Sequence, residues 1–321
     1  MLSTDAMTLK LKPDWAGKDW LSKAVNLLIQ TKPIYAVLKQ QARQVLIKTA
    51  EKNGIPWRQA YQTLEASNTK DYLDSTIDPN LTYPTYYQMP FHAYAQGNLC
   101  WPAAFEAESA TYAMALRVWP QAGLTWEAAQ QRLRASFHRV LAEYGPQKVK
   151  DILDVGCSVG ISTFALHQYY QSTQSTVVRT TGLDLSPYML SVAQKRDINQ
   201  DITWRHAKAE ATGFLDDSFD LITLQFVIHE LPREITQKIF EEALRLLRPG
   251  GCIALVDNNP QSSVIQNLPP ALFTLMKSTE PWSDDYYTFD VESALEAAGF
   301  QHRTTTASDP RHRTIIGSKP I

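Results

Sequence analysis

The sequence predicts an α/β fold in which a mostly parallel, doubly wound sheet follows a helical N-terminal part. Residues 152–160 read as an apolar strand that ends in a tight turn of small residues, and a helical pattern follows this turn. Further apolar strands alternate with helical segments downstream, as is typical of parallel sheets. The first 145 residues instead place apolar side chains at helical spacing.

Four helices are predicted in the N-terminal part. Turn residues such as Asn53-Gly54 and Gly145-Pro146 mark where two of them end. The predicted helices cover residues 19–29, 33–53, 102–119 and 125–144. No repeat or low-complexity tract interrupts them. We therefore expect a helical subdomain at 1–145 and a second domain at 146–321.

The turn after the strand at 152–155 brings backbone N–H groups and a helix N-terminus to one place, where polar or charged parts of a ligand can be held. Two chemistries fit its sequence. Gly156-x-Ser158-x-Gly160 matches the nucleophile elbow of serine hydrolases. It also resembles the first motif of methyltransferases that use S-adenosylmethionine, in which glycine is commoner at the position of Ser158.

Segments downstream of the turn favour a nucleotide-type ligand. A second strand, 176–184, ends at Asp184, where a carboxylate is suited to bind a ribose diol. An exposed turn then feeds a buried strand that ends near Gln225. The next helix stops at 247–251, a Leu-Arg-Pro-Gly-Gly stretch, and another apolar strand follows it.

Five motifs in register resemble the class I S-adenosylmethionine-dependent methyltransferases, most closely the ubiquinone/menaquinone C-methyltransferases and their small-molecule relatives. The motifs are Asp154-x-Gly156-x-Ser158-x-Gly160, Gly182-x-Asp184-x-Ser186-x-x-Met189-Leu190, Ala209-Glu210, Asp217-x-Phe219-Asp220 and Leu247-Arg248-Pro249-Gly250-Gly251. The resemblance covers 148–257 firmly and 288–318 loosely. It implies a Rossmann-like, seven-stranded sheet and methyl transfer to a small-molecule acceptor through carbon, oxygen or nitrogen.

The resemblance also implies S-adenosylmethionine as cofactor and a set of residues that contact it. These are Asp154, Gly156, Cys157, Ser158, Gly160, Asp184, Leu185, Met189, Ala209, Glu210, Gln225 and Phe226. Asp184 would hold the ribose hydroxyls, and Met189 would pack near the adenine. The family usually has Asp before Ala209 for the adenine amino group. Lys208 stands there instead, so Glu210 substitutes for that acid or the contact is absent.

Two other functions stay open beside methyl transfer. A serine hydrolase would use Ser158, and Asp257 and His312 follow it in the order of a triad. An esterase needs several strands before its elbow, however, whereas the preceding residues are helical. The second alternative is a non-catalytic protein that binds S-adenosylmethionine. An NAD-dependent enzyme fits less well, because its Gly-x-Gly-x-x-Gly spacing is not present.

Candidate catalytic and acceptor-binding residues come from three segments. His229 and Glu230 follow the strand that ends at Gln225, where an imidazole could act as a general base. Aromatic side chains are concentrated in the irregular stretch 83–101 and again near 282, and such loops often form binding walls. The acceptor-site candidates are Tyr87, His92, Tyr94, Trp101 and Trp282.

Composition agrees with an ordinary cytoplasmic enzyme. The net charge of −2 gives no electrostatic reason to expect nucleic acid or a membrane surface as a partner. Three scattered cysteines suggest a reducing compartment, and no signal peptide or membrane span is expected. Asp257-Asn258 resembles the metal-binding pair of some O-methyltransferases, but Gln225 occupies the place of their further Asp, so no metal is expected. The sequence leaves the oligomeric state open.

Overall fold

The computed structural model describes residues 27, 32–92, 94–269 and 279–321, and for 32–39 it describes the backbone only. The helix predicted at 19–29 lies outside the described residues apart from residue 27. The other three N-terminal helices are confirmed with small shifts at their ends. The helices before the sheet are α1 (Lys32–Lys52), α2 (Trp57–Ala66), α3 (Leu73–Thr76), α4 (Trp101–Val118) and α5 (Trp126–Tyr144).

Local sequence sets the ends of the two longest helices that face the sheet. Pro102 stands in the first turn of α4, where its missing N–H costs nothing. The side chain of Thr125 accepts a hydrogen bond from the backbone N–H of Ala128 and caps α5. Between α2 and α4 the chain forms short 3₁₀ turns at Asn68–Tyr72 and Thr85–Tyr87, so the aromatic stretch is irregular as expected.

A seven-stranded sheet occupies the rest of the chain and confirms the predicted fold class. Its strand order is β3-β2-β1-β4-β5-β7-β6. The strands are β1 (Asp151–Val155), β2 (Arg179–Asp184), β3 (Ile202–His206), β4 (Phe219–Gln225), β5 (Leu247–Asn258), β6 (Gln301–Ala307) and β7 (His312–Ser318). Strands β1 to β5 are parallel, whereas β7 runs antiparallel to both β5 and β6.

Helices connect the strands and cover both faces of the sheet. They are α6 (Ile161–Thr173), α7 (Pro187–Arg196), α8 (Arg233–Leu246), α9 (Ser263–Gln266), α10 (Ser283–Tyr287) and α11 (Val291–Ala297). All residues of β1 are buried, because a strand in the middle of a doubly wound sheet is covered on both sides. Alternate residues of this strand therefore join two separate cores, with Leu153 in one and Ile152 in the other.

Helix α5 belongs to the core of the sheet although it precedes β1 in the chain. Phe137 on this helix is only 1% exposed. It packs in one apolar cluster with Ile152 of β1, Leu166 of α6 and Leu221 of β4. The N-terminal helices are thus anchored to the sheet by buried apolar contact. The division of the chain at 145/146 remains a prediction.

Helix α4 lies over the carboxyl ends of the central strands. Its N-terminal half packs on α7 through a cluster that contains Ala104, Phe105 and Met189. Its C-terminal half packs on α5 through Ala115, Val118 and Leu133. Helix α4 therefore spans the space above the turn formed by residues 156–160, the glycine turn. Among the described residues, no helix combines the length and the apolar character needed to cross a membrane.

We predict that Phe137→Ala lowers the free energy of unfolding by about 3–5 kcal/mol, because it leaves a cavity where α5 meets the sheet. Ile198→Ala is the control: Ile198 is 89% exposed, so its truncation should change stability by less than about 0.5 kcal/mol. Urea unfolding of both variants measures the difference. Equal stabilities for the two variants would show that α5 does not share the core of the sheet.

Candidate functional site

A cavity of about 670 Å³ lies at the carboxyl ends of the parallel strands, under helix α4. The strand order reverses between β1 and β4 at this place, which is where doubly wound sheets open a crevice for ligands. The volume is in the range of small-molecule sites. Its walls come from the glycine turn, the ends of β2 and β4, one face of α4, and the segments near 86–98 and 279–282.

Most of the residues predicted to contact the cofactor line this one cavity. They are Gly156, Cys157, Ser158, Asp184, Leu185, Met189, Ala209, Gln225 and Phe226. The other three, Asp154, Gly160 and Glu210, do not line it.

The glycine turn is shaped by close contacts on its inner side. Gly156 has a φ of +69°, and its backbone N–H donates to the carbonyl of Leu183 at 2.8 Å. A Cβ atom on Gly156 would stand 2.6 Å from a methyl carbon of Val227, so only glycine fits. Gly160 also has a positive φ, of +84°, and a Cβ there would stand 2.7 Å from the ring of Trp204. Its requirement for glycine therefore comes from both the backbone conformation and the packing.

Asp154 lies beneath the turn and ties its neighbours together. The carboxylate is 1% exposed and accepts hydrogen bonds from Thr163 and Thr223, each at 2.6 Å. It also accepts a bond of 3.3 Å from Nε2 of Gln225. Burial raises the pKa of Asp154, while these hydrogen bonds favour its ionised form. Asp154 thus supports the site from below rather than forming its wall.

Asp184 provides a buried carboxylate at the cavity wall. Its Oδ2 atom accepts from the backbone N–H of Ser158 at 2.8 Å, and Oδ1 accepts from that of Ser186 at 2.7 Å. The hydroxyl of Tyr87 lies 3.4 Å from Oδ1. Burial raises the pKa of this group, and the backbone donors oppose that shift. The carboxylate is therefore held in one orientation at the end of β2.

Glu210 is engaged outside the cavity. Both of its carboxylate oxygens accept from the hydroxyl of Tyr86, at 2.9 and 3.0 Å. Of residues 208–210, Ala209 alone lines the cavity. The expectation that Glu210 replaces the missing Asp as an adenine ligand therefore lacks support from this arrangement, because its carboxylate is directed at the N-terminal segment.

His229 is paired with a buried carboxylate at the end of β5. Its Nδ1 atom lies 2.8 Å from Oδ1 of Asp257, and its backbone N–H donates to the other oxygen at 3.3 Å. The two side chains therefore form a close ion pair. Burial lowers the pKa of His229, but Asp257, Glu280 and Glu230 outweigh it and raise this pKa to about 10.

Other titratable groups surround His229 at the same end of the cavity. Oε1 of Glu230 lies 3.9 Å from Nε2 of His229, and burial raises the pKa of Glu230 to about 8. Across the cavity, Nε2 of His92 lies 4.0 Å from Oε1 of Glu280. The ring of His92 is 49% exposed because it faces the open space of the cavity. At neutral pH the site therefore holds a protonated His229 beside a carboxyl group that binds its proton unusually tightly.

Four of the five residues predicted to bind the acceptor line the cavity: Tyr87, His92, Tyr94 and Trp282. The hydroxyl of Tyr94 donates to Glu106, which also pairs with Arg43. Trp101 does not line the cavity. Its ring centroid lies 5.4 Å from that of Phe105 and 5.1 Å from that of Tyr188, in the contact between α4 and α7. Trp101 is a packing residue because it faces α7 from the first turn of α4.

Arg134 is a cavity residue that the motifs did not indicate. It is 7% exposed, and its guanidinium carbon lies 5.6 Å from the centre of the Phe226 ring. Its Nε atom has no hydrogen-bond partner in the described part of the chain. Burial lowers its pKa to about 10, and Asp154 partly offsets that shift. A signal was present in the sequence: helical spacing places Arg134 on the same face as Phe137, which is the buried face of α5.

The triad required by the hydrolase alternative is not assembled. Asp257 pairs with His229, and Nδ1 of His312 pairs with Asp309 at 2.8 Å. The hydroxyl of Ser158 contacts the sulfur of Met189 at 3.5 Å. A nucleophilic serine needs a histidine base within hydrogen-bond reach, so this arrangement does not support acyl transfer.

The fold and the site together define an α/β protein that binds a nucleotide-type cofactor at the reversal of strand order. Comparison with known proteins specifies the class. Residues 153–255 match the family model described as "Methyltransferase domain". They are a class I S-adenosylmethionine-dependent methyltransferase domain, and the protein is a methyltransferase with S-adenosylmethionine as its cofactor.

Several proteins are similar to this chain over part of its length. A demethylmenaquinone methyltransferase of Tropheryma whipplei is 29% identical over 190 residues, which cover 52% of this chain and 75% of that protein. An uncharacterised methyltransferase of Synechocystis is 35% identical over 150 residues, covering 46% and 66%. The crystal structure of a methyltransferase from Aquifex aeolicus is similar with a TM-score of 0.45 and 18% identity, covering 59% and 96%.

We predict that the His229 imidazole stays protonated at pH 8 and titrates near pH 10, as measured by NMR of histidine-labelled protein. Below pH 6.5 the imidazole is protonated in the folded and unfolded chain alike, so the ion pair stabilises fully there, and this stabilisation is lost as pH rises through about 10. Asp257→Asn should lower the pKa of His229, because it removes a negative charge that counteracts the effect of burial. A wild-type titration midpoint between 6 and 7 would contradict this account.

Proposed function

We propose that this protein transfers a methyl group from S-adenosylmethionine to a small-molecule acceptor bound between His229 and the aromatic segment that carries Tyr87 and His92. The observation that carries the proposal is the placement of Asp184 and the glycine turn on the same wall of one cavity as these residues. Helices α1, α2, α4 and α5, together with the segment 86–98, supply the opposite wall. The N-terminal part would thus select the acceptor and exclude water.

The residues present fit the cofactor from one end to the other. Asp184 is placed to accept hydrogen bonds from the ribose hydroxyls, as an acid at the end of the second strand does in related folds. Met189 and Leu185 are buried beside it and offer apolar surface to the adenine. Ser158 and its neighbours bring the backbone of the turn against the middle of the ligand.

Two unpaired buried groups match the amino-acid end of the cofactor. Among the described residues, the buried Nε of Arg134 has no partner and can donate to a carboxylate. The buried Oε1 of Gln225 likewise has none there and can accept from an ammonium group. Both residues have Asp154 as a neighbour and line the cavity. We assign them to the carboxylate and the ammonium of the methionine moiety, because a buried polar group left unpaired is costly.

The sulfonium of the bound cofactor supplies the electrophile, so the chain mainly has to align the acceptor and exclude water. His229 is protonated at neutral pH and acts in this proposal as a hydrogen-bond donor that stabilises negative charge on the acceptor. This replaces the general-base role expected from an ordinary histidine. Glu230, with its pKa near 8, is the group suited to exchange a proton near neutral pH.

The similar proteins favour one chemical class of acceptor. One of them is a demethylmenaquinone methyltransferase, and the cavity here is walled by Tyr87, Tyr94 and Trp282. We therefore favour a flat aromatic acceptor with an oxygen substituent that reaches His229. A hydrogen-bond donor at the position of His229 is compatible with methylation at carbon and with methylation at that oxygen. We retain a reducing, cytoplasmic location as part of the proposal, in keeping with three unpaired, buried cysteines.

We predict that S-adenosylhomocysteine binds the wild-type protein and that Asp184→Ala weakens binding by about 1–3 kcal/mol, since it removes charge-assisted hydrogen bonds to the ribose. Isothermal calorimetry measures both affinities. Because Asp184 also accepts from two backbone N–H groups, thermal unfolding must show that the variant is folded, and Asp184→Asn serves as a milder second variant. Failure of the folded wild type to bind the ligand would refute the proposal.

We predict that Ser158→Gly keeps or improves affinity for S-adenosylhomocysteine. Ser158 has a φ of +51°, which glycine adopts without strain, and among the described residues its hydroxyl bonds to the sulfur of Met189 alone. The same calorimetric titration measures the effect. Loss of binding would mean that the hydroxyl itself holds the cofactor. Covalent labelling of wild-type Ser158 by an organophosphonate would instead favour the serine hydrolase. If the protein binds the cofactor but methylates no metabolite, a non-catalytic binding protein would be favoured.

A further inference from the structure

Two arginines at one end of the cavity have no acidic partner among the residues that the structure describes. Arg117 of α4 and Arg311 before β7 both line the cavity. Arg311 donates from Nε to the side-chain oxygen of Asn258 at 2.8 Å, which is a neutral partner. The nearby carboxylate of Asp309 is 1% exposed and is occupied by His312 and by the backbone N–H of Arg311.

Another arginine of the cavity wall is neutralised by an acid. Arg43 lines the cavity and forms an ion pair with Glu106. Outside the cavity, Arg179 of β2 pairs with Asp151 and Arg245 of α8 pairs with Glu242. Arg117 and Arg311 differ from these arginines in having no acidic partner among the described residues.

The charged side chains of α4 lie at two different ends of the cavity. The face of α4 that lines it includes Ala103, Glu106, Ala107, Ala110, Met114 and Arg117. Eleven residues of α-helix separate Glu106 from Arg117, a distance of about 16 Å. Arg117 is thus near Phe226, at the end away from the α4–α7 contact.

The positive charges of Arg117 and Arg311 repel each other, so this wall is less stable when no anion is bound to it. Partial desolvation lowers the pKa of Arg117, and the positive charge of Arg311 lowers it further. A guanidinium group does not lose its proton at physiological pH, so repulsion can be relieved only by a counter-charge. The cofactor brings one carboxylate, and Arg134 is the buried guanidinium closest to Asp154 and the glycine turn. Two arginines then remain for the other molecule that enters the cavity.

We propose that the methyl acceptor is an anion and that Arg117 and Arg311 bind its carboxylate or phosphate group. The proposal rests on the assignment of the cavity as the shared site of cofactor and acceptor. Guanidinium groups bind both anions through paired N–H donors, and such contacts give direction as well as strength. The acceptor would lie with its acidic group toward Arg117 and Arg311 and its reacting atom toward His229.

The test uses full-length protein saturated with S-adenosylhomocysteine, so that the carboxylate site of the cofactor is already filled. Benzoate and inorganic phosphate are titrated separately by calorimetry, with neutral benzamide as a matched probe. We expect saturable binding of at least one anion to the wild type and none of comparable affinity for benzamide. Arg117→Gln and Arg311→Gln should each weaken anion binding by about tenfold and leave S-adenosylhomocysteine affinity within about threefold.

Arg132→Gln is the control variant, because Arg132 lies over the ring of Trp119 and does not line the cavity. It should bind the anion as the wild type does. The relative affinities of benzoate and phosphate tell which acidic group the site prefers. Absence of saturable anion binding to the loaded wild type, or wild-type affinity for the anion in both glutamine variants, would overturn the proposal. Lack of S-adenosylhomocysteine binding in the first step would instead refute the proposed function.

Discussion

The buried carboxylate of Asp154 is the interaction on which the site depends. It joins β1 to β4 through Thr223 and Gln225, and to α6 through Thr163, at the place where the order of the strands reverses. A buried charge of this kind is tolerated only when hydrogen bonds satisfy it. The crevice above it is held open because the strand ends and the first turn of α6 are fixed to one another. Asp184 and the glycine turn can then form one wall.

Charge is unevenly distributed along the cavity that this arrangement creates. One end holds His92, His229, Glu230 and Glu280. Burial raises the pKa of Glu230 there to about 8, and nearby carboxylates outweigh burial and raise the pKa of His229 to about 10. The wall near Phe226 holds guanidinium groups that have no acidic partner among the described residues. A ligand with complementary charges would be oriented by these two ends before any chemistry takes place. Orientation of this kind is a large part of what a transferase must provide when its donor is already electrophilic.

The parts of the site that follow β-strands could be predicted from the sequence. A glycine turn after one strand and an acid at the end of the next are local patterns, and a parallel sheet brings the carboxyl ends of its strands to one edge. Gly156, Asp184 and Gln225 therefore line the cavity as expected. The seven-stranded sheet was implied by the resemblance to the methyltransferase family, which rests on five motifs in register.

The parts that depend on how the N-terminal helices pack on the sheet could not be predicted. Trp101 and Tyr94 belong to the same aromatic stretch, yet the first faces α7 and the second faces the cavity. The difference arises because Trp101 begins α4 and packs on α7, whereas Tyr94 lies in the loop before α4 and donates to Glu106. Arg134 was missed because the helical spacing that places it on the buried face of α5 does not indicate what it binds. Glu210 does not line the cavity, and its carboxylate pairs with Tyr86, which is far away in the sequence.

A crystal structure of the protein with S-adenosylhomocysteine tests the central claim most directly, because it locates each part of the cofactor against named residues. The account predicts that both ribose hydroxyls lie within hydrogen-bond distance of Asp184 and that the amino-acid carboxylate contacts Arg134. The sulfur should face the volume between His229 and Trp282. A ligand bound outside this cavity, or one whose sulfur faces away from that volume, would contradict the account.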